Sequence, residues 1–273
     1  MAKFEKMRVS LMREEKSPIL DAIGFVSRSL SKREYLTAAF SEERVFLHLK
    51  KPYKFIPMKA PIGYAAGFFS RPSPVELNHE DLSPYMAENY EPSLFVIKID
   101  DDQVMWMQDN QKVGSPKRIL ESFFENLLTK TSLRDWQAFV RYFEGKENYW
   151  QAVDQYRHEI TQIIFRYVPP NAFEGRKLAQ KYKTAMQKDA NSDVYEERFK
   201  SVAGKMNPNS EMMQANAEIA EEGAGEKELR GANNRLLYSS RHGRVTETVV
   251  DEDMPDALNT SFVNRVIAKL FGS

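Results

Sequence analysis

The sequence predicts an α+β protein, with a mixed or antiparallel sheet and helices packed on one of its faces. Three observations carry this. Short segments with two-residue alternation or short apolar runs, such as 45–49 and 94–99, read as strands. Segments with apolar residues three and four apart, opened by capping residues, read as helices. Strands also alternate with helices twice, at 94–128 and 159–203, which a layered fold accommodates, a ferredoxin-like unit being one candidate.

Ser17-Pro18 opens the first predicted helix, because serine caps and proline suits the first helical position. Ile19, Leu20, Ile23, Val26 and Leu30 give it an apolar stripe. Ser31 and Glu34 form a capping-box pattern that starts a second helix, ending near Phe40. Val45, Leu47 and Leu49 alternate with Phe46 and His48 in a strand. Two extended segments follow at 54–58 and 62–69, and Pro57 and Pro61 confine them to sheet edges or strand ends. Residues 70–93 hold Pro72, Pro74, Pro84 and Pro92, show little periodicity, and read as a long surface loop. The runs 94–99 and 104–108 flank Asp100, Asp101 and Asp102 as a hairpin with an acidic turn.

Ser115-Pro116 opens a helix whose face carries Ile119, Leu120, Phe123, Phe124, Leu127 and Leu128. Ser132 and Asp135 introduce another, with Trp136, Phe139, Val140 and Phe143, closed by Gly145. Residues 147–158 fit either state, and 159–168 reads as a strand stopped by Pro169-Pro170. Helices are expected from Asn171 toward Lys188, at 192–203 and at 210–222. The stretch 207–231, poor in large apolar residues, is expected to be mobile or partner-dependent. Residues 235–250 read as a hairpin turning at 239–243. After a linker from Asp251 to Pro255, a last helix near 260–271 shows an apolar stripe and a Gly272 cap. The working division is an α+β domain at 1–145, a second α+β region at 146–250 with a helical insert at about 171–231, and a linker with C-terminal amphipathic helix at 251–273.

The net charge is zero, but its distribution is not even. Residues 1–71 carry a net +7, 72–111 a net −8, 112–206 a net +5 and 207–273 a net −4. Either these blocks face each other within the fold, or a basic surface serves nucleic acid beside an acidic one for another partner. The chain has no cysteine, which excludes disulfides, thiolate metal sites and Cys nucleophiles. No stretch approaches the roughly 20 apolar residues of a membrane span, and no apolar run follows the first residues, so a cytoplasmic location without membrane partners is expected.

Recognised catalytic patterns fail on inspection. His158-Glu159 begins like a zinc-protease motif, but position 162 is Gln. The glycines at 223 and 225 follow a helix and lack the Lys-Ser/Thr pair of a phosphate loop. No catalytic residue and no cofactor is assigned. Asp100, Asp101 and Asp102 are the one candidate metal site, for Mg²⁺ in a nuclease, against the commoner reading of a solvated turn. Binding residues are more plausible. Arg235, Tyr238, Arg241, His242 and Arg244 gather around the 235–250 hairpin, while Lys50, Lys51, Lys54 and Lys59 alternate with Tyr53 and Phe55. Cations can hold phosphates and aromatic rings can stack on bases, so DNA or RNA is the expected ligand. The competing reading is edge-strand protection by Lys and Arg. The Met105–Met107 run with Trp106 is read as core or interface. Phe262, Val266, Ile267, Leu270 and Phe271 on the last helix form a stripe that docks at home or in a homo-oligomer or partner-subunit interface.

Gly63–Phe69, Leu94–Asp100 with Gln103–Trp106, and Leu236–Val250 together resemble uncharacterised bacterial proteins of mobile elements and phage-defence islands. The resemblance implies an accessory protein that acts on, or senses, nucleic acid or an invader's protein, and it carries over no catalytic residue. The leading expectation is a non-catalytic, nucleic-acid-directed binding protein. The alternatives are a metal-dependent nuclease using the acidic cluster, and a protein-interaction subunit of a larger complex.

Overall fold

The computed structural model describes residues 1–13, 30–100, 103–129, 133, 136–143, 145–167, 195–222, 225–240, 243–250 and 261–272. The predicted helix at 17–30, but for Leu30, the one at 171–188 and the linker at 251–255 lie outside these residues. In chain order the elements are β1 (Ala2–Arg13), α1 (Lys32–Ala39), β2 (Arg44–His48), β3 (Lys51–Met58), β4 (Tyr64–Pro72), β5 (Val75–Asn78), β6 (Pro84–Ala87), β7 (Tyr90–Lys98), β8 (Val104–Gln108) and α2 (Pro116–Leu127). There follow β9 (Trp136–Tyr142), α3 (Lys146–Gln155), β10 (Gln162–Tyr167), β11 (Tyr195–Lys200), α4 (Glu211–Glu222), β12 (Glu226–Arg230), β13 (Leu236–Ser239), β14 (Thr246–Val249) and α5 (Ser261–Phe271). The fold is α+β with antiparallel sheets. Two compact units divide the chain: 1–5 with 13–138 and 246–273, and 6–12 with 139–245.

In the first unit the sheet runs β14-β1-β8-β7-β4-β3-β2. Ser31 opens α1 with the predicted capping box: the Glu34 N–H donates to Ser31 Oγ at 3.2 Å and the Ser31 N–H to the Glu34 carboxylate at 2.8 Å. Phe40 at the end of α1 and Phe123 of α2 stack at 5.2 Å over Phe55, Phe69 and Phe95 of the sheet. Each such buried ring contributes roughly 1.5–3 kcal/mol relative to exposure. Backbone and ring approach closely here, since a Cβ on Gly67 would lie 2.5 Å from the Ile56 carbonyl and 2.6 Å from the Phe55 ring. Glycine is therefore required at that position.

Helices meet both faces of this sheet, not one. Phe271 of α5 packs on Tyr64 at 5.3 Å. Tyr64 lies on the face opposite to Phe69 because strand side chains alternate. Strands β7 and β8 explain the need: Leu94, Phe95, Val96 and Ile97, like Met105, Trp106 and Met107, are buried on both faces. On α5 itself Val263, Val266, Ile267 and Leu270 are buried within the chain, Phe262 and Phe271 are half-buried, and Gly272 closes the helix with φ +67°. The stripe is thus covered at home.

Residues 70–93 are not a loop. The pairing of β4 with β7 runs from Tyr64↔Lys98 to Pro72↔Tyr90 and continues without a register change into β5 and β6, Val75↔Ala87 to Asn78↔Pro84. Ser73 N–H to the Asn89 carbonyl, 2.8 Å, bridges the two ladders. The prolines are tolerated because no further strand pairs with the ribbon beyond Pro72 and Tyr90 among the described residues.

In the second unit the sheet order is β11-β10-β12-β13. Its pairings are all antiparallel, and a ferredoxin-like unit is not shown: there another strand separates the two strands of each βαβ, whereas here the consecutive strands β10 and β11 are direct neighbours. Tyr149, Val153, Ile163, Phe165, Met213, Ala217, Ala220 and Leu229 form its core. Two expected helices are strands: 136–142 is β9 and 195–200 is β11. The expected mobile stretch holds α4 and β12. Its small residues serve close packing, since Ala217 and Ala220 are buried and a Cβ on Gly225 would lie 3.1 Å from Ala220 Cα. Residues 235–250 are not a hairpin either: β13 pairs with β12 in this unit, whereas β14 pairs with β1 in the other.

Candidate nucleic-acid interface

The structure places the predicted cations in two different units. Lys50, Lys51, Lys54 and Lys59 belong to the first. Lys50 occupies the two-residue β2–β3 turn with φ +64°, and Lys51 starts β3. Lys54 Nζ pairs with Glu43 at 2.6 Å, and that hydrogen bond raises its pKa. Tyr53 and Phe55, read as interleaved stacking rings, are buried instead. Alternation along β3 turns them into the core and leaves Lys54 on the other face. The Tyr53 hydroxyl donates to the Val113 carbonyl at 2.7 Å.

Arg235, Tyr238 and Arg244 belong to the second unit, and Arg241 and His242 lie outside the described residues. Arg235 is ion-paired with Glu159. The half-buried Tyr238 ring packs toward Tyr149 at 6.1 Å, and its buried hydroxyl has no hydrogen-bond partner among the described residues. Of the acidic turn, Asp100 is described and is held by Lys98 Nζ at 2.6 Å and by the Gln103 N–H at 3.1 Å. Asp101 and Asp102 lie outside. No group of three His, Asp or Glu side chains among the described residues could hold a metal ion. No helix among them is long and apolar enough to cross a membrane.

Arg244 does enter a cluster, with residues that sequence reasoning passed over. Three backbone hydrogen bonds tie Lys6, Phe143 and Val245 together: Lys6 N–H to the Val245 carbonyl at 2.9 Å, Phe143 N–H to Lys6 at 3.0 Å, and Val245 N–H to Phe143 at 2.9 Å. Gly145 N–H to the Gly243 carbonyl, 3.1 Å, extends the arrangement. A Cβ on Gly243 would lie 2.9 Å from the Asn148 amide nitrogen, so a side chain there would displace that amide. The same framework carries two cation–ring pairs. The Arg244 guanidinium lies 4.1 Å over the Tyr142 ring, and Lys6 Nζ lies 4.9 Å over Phe143. Arg244 is exposed and the other three are half-buried. At partly exposed sites such pairs contribute about 0.5–1 kcal/mol each and hold the cation in a fixed place.

Tyr142 and Phe143 were missed because Phe139, Val140 and Phe143 stand three and four apart, which mimics a helical stripe. The aromatic and β-branched composition of 136–143 was the signal for a strand. Lys6 was missed with the whole of β1, although Met7, Val9 and Leu11 alternate. No protein-family model matches the chain, and no curated protein matches its sequence.

Proposed function

We propose that this protein binds single-stranded nucleic acid through the Lys6–Tyr142–Phe143–Arg244 cluster of its second unit. The observation that carries the reading is that two cation–ring pairs stem from one backbone framework. Guanidinium and ammonium groups attract phosphates, and a half-exposed ring, or a guanidinium plane lying on one, accepts a stacked base. Binding by charge and stacking of this kind is sequence-tolerant. Duplex DNA, whose bases are already stacked, binds more weakly. Anisotropy of labelled oligo(dT) and of a duplex of equal length tests this. Tyr142→Ala and Arg244→Ala each weaken oligo(dT) binding about tenfold, in line with about 1–3 kcal/mol per stacked base. Equal affinity of wild type and both variants removes the cluster from the site.

A protein-interaction role is favoured by a different feature, the β5–β6 ribbon of the first unit. Val75, Leu77, Tyr85, Met86 and the turn residue Leu82 are exposed on it.

A further inference from the structure

We propose that Asn126 stands in for a neighbouring strand at the β2 edge and so keeps a second copy of this chain from adding to the sheet there. Among the described residues β2 is the last strand of the first sheet. In an antiparallel ladder the backbone groups of successive residues point to alternate sides. Leu47 lies opposite Pro52, which has no N–H to offer, and the Leu47 N–H and carbonyl point the other way, out of the sheet. By the same alternation those of Val45 do so too. Such a row of outward-pointing groups is a template for another strand.

The strand suits such an addition. Val45 and Phe46 are residues that favour strands, and Val45 is 67% and Leu47 58% exposed. Two copies of β2 meeting antiparallel about Phe46 would set Val45 of one opposite Leu47 of the other, twice over. Both pairs would be of the hydrogen-bonded kind and would lay the exposed side chains against each other on one face. The contact is self-complementary and closed, so a second copy is the addition that this edge must exclude.

Asn126 of α2 occupies the place that the incoming strand needs. Its amide oxygen accepts from the Leu47 N–H and its amide nitrogen donates to the Leu47 carbonyl, both at 3.3 Å, which are the two bonds a neighbouring strand would make. The nitrogen also donates to the Ser122 carbonyl one turn back, at 2.8 Å, so the helix itself fixes the direction of the amide. Ser122 ties the next residue of the strand, its hydroxyl lying 2.8 Å from His48 Nδ1. Phe123 packs edge-on against Phe46 at 5.5 Å and holds the helix against the strand. Asparagine is a poor helix former, so α2 gains nothing from it as a helix. What it supplies is a side chain with the donor and acceptor of a peptide group.

Sedimentation of the full chain carrying Asn126→Ala, over a range of concentration, tests the proposal. Alanine suits a helix and leaves the Phe123 packing in place. The mass of the variant rises with concentration above that of wild type, and adding Val45→Lys with Leu47→Lys reverses the rise. Both of those positions are exposed, so the core is spared, and the substitutions set like charges opposite each other in both cross-copy pairs. Asn126→Ser, equally unable to supply both bonds, behaves as Asn126→Ala does, so poor folding of one replacement does not decide the outcome. Amide hydrogen exchange reads the same edge. In dilute Asn126→Ala the Leu47 amide exchanges about tenfold faster than in wild type, as the loss of one hydrogen bond predicts, and it slows again as concentration rises. A variant with unchanged near-ultraviolet circular dichroism whose mass follows wild type at every concentration overturns the proposal, and Asn126 then only fastens α2 to the strand. Association that persists with both lysines present, or that leaves Leu47 exchange independent of concentration, overturns it as well.

Discussion

At the scale of single residues, this chain keeps unfavourable backbone conformations at exposed turn positions. Leu49 and Lys50 join β2 to β3 with φ of 50° and 64°. A two-residue hairpin turn of that kind favours Asn-Gly, and each non-glycine residue in the left-handed region costs roughly 1–2 kcal/mol. Leu49→Asn with Lys50→Gly therefore raises stability by about 1–2 kcal/mol, read as a higher urea midpoint with unchanged slope. A lower midpoint would show that the leucine side chain contributes to the fold. His48, in the adjoining strand, sets a pH dependence. It is buried, with Nδ1 2.8 Å from Ser122 Oγ, and burial followed by the charge of Arg118 lowers its pKa. The folded value lies below the ordinary one of about 6.5, so the unfolded chain binds the extra proton first. His48's share of stability is therefore full above about pH 6.5 and declines as pH falls through that value toward the folded pKa. His48→Gln flattens this part of the stability profile in urea titrations at a series of pH values.

At the scale of elements, the last helix was legible because caps and periodicity agreed. Its stripe, its Gly272 terminus and its exposed Asn264, Arg265 and Lys269 all follow from spacing alone. What covers the stripe was not legible, because a helical pattern states that a face is buried and not against what. Home docking predicts that Ile267→Ala lowers stability by about 2–5 kcal/mol while the sedimentation mass stays as in wild type. Dissociation of an assembly by Ile267→Ala without loss of stability would place the stripe in an interface instead. Sequence reading failed where two periods overlapped. Residues 136–143 offer apolar spacing that suits a helix and β-favouring residues that suit a strand, and pairing with β1 decided for the strand. Prolines misled at 70–93, where they read as a loop although an unflanked two-stranded ribbon accommodates them.

At the scale of the whole molecule, connectivity hid the cluster of Lys6, Tyr142, Phe143 and Arg244. Strand β1 gives residues 1–5 to one unit and 6–12 to the other, and the chain, in the first unit from 13 to 138, leaves it again at 139 and returns at 246. Arg244 thereby meets Tyr142 and stands beside Lys6, across separations of about a hundred residues or more that no local pattern encodes. The segment 235–250 looked like one hairpin because both of its halves are strands, yet each half pairs in a different sheet. The basic character of the site was legible, but the partners that organise it were not. Counterion release measures directly whether Lys6 and Arg244 hold phosphates of a single strand, as proposed. The measurement is the slope of log affinity for oligo(dT) against log salt, for wild type and for Lys6→Ala with Arg244→Ala. The expected slope is steeply negative in wild type and becomes shallower by about 1.4 in the double variant, roughly 0.7 for each phosphate contact removed. Parallel slopes for the two proteins, or no oligo(dT) binding by wild type at low salt, would contradict it.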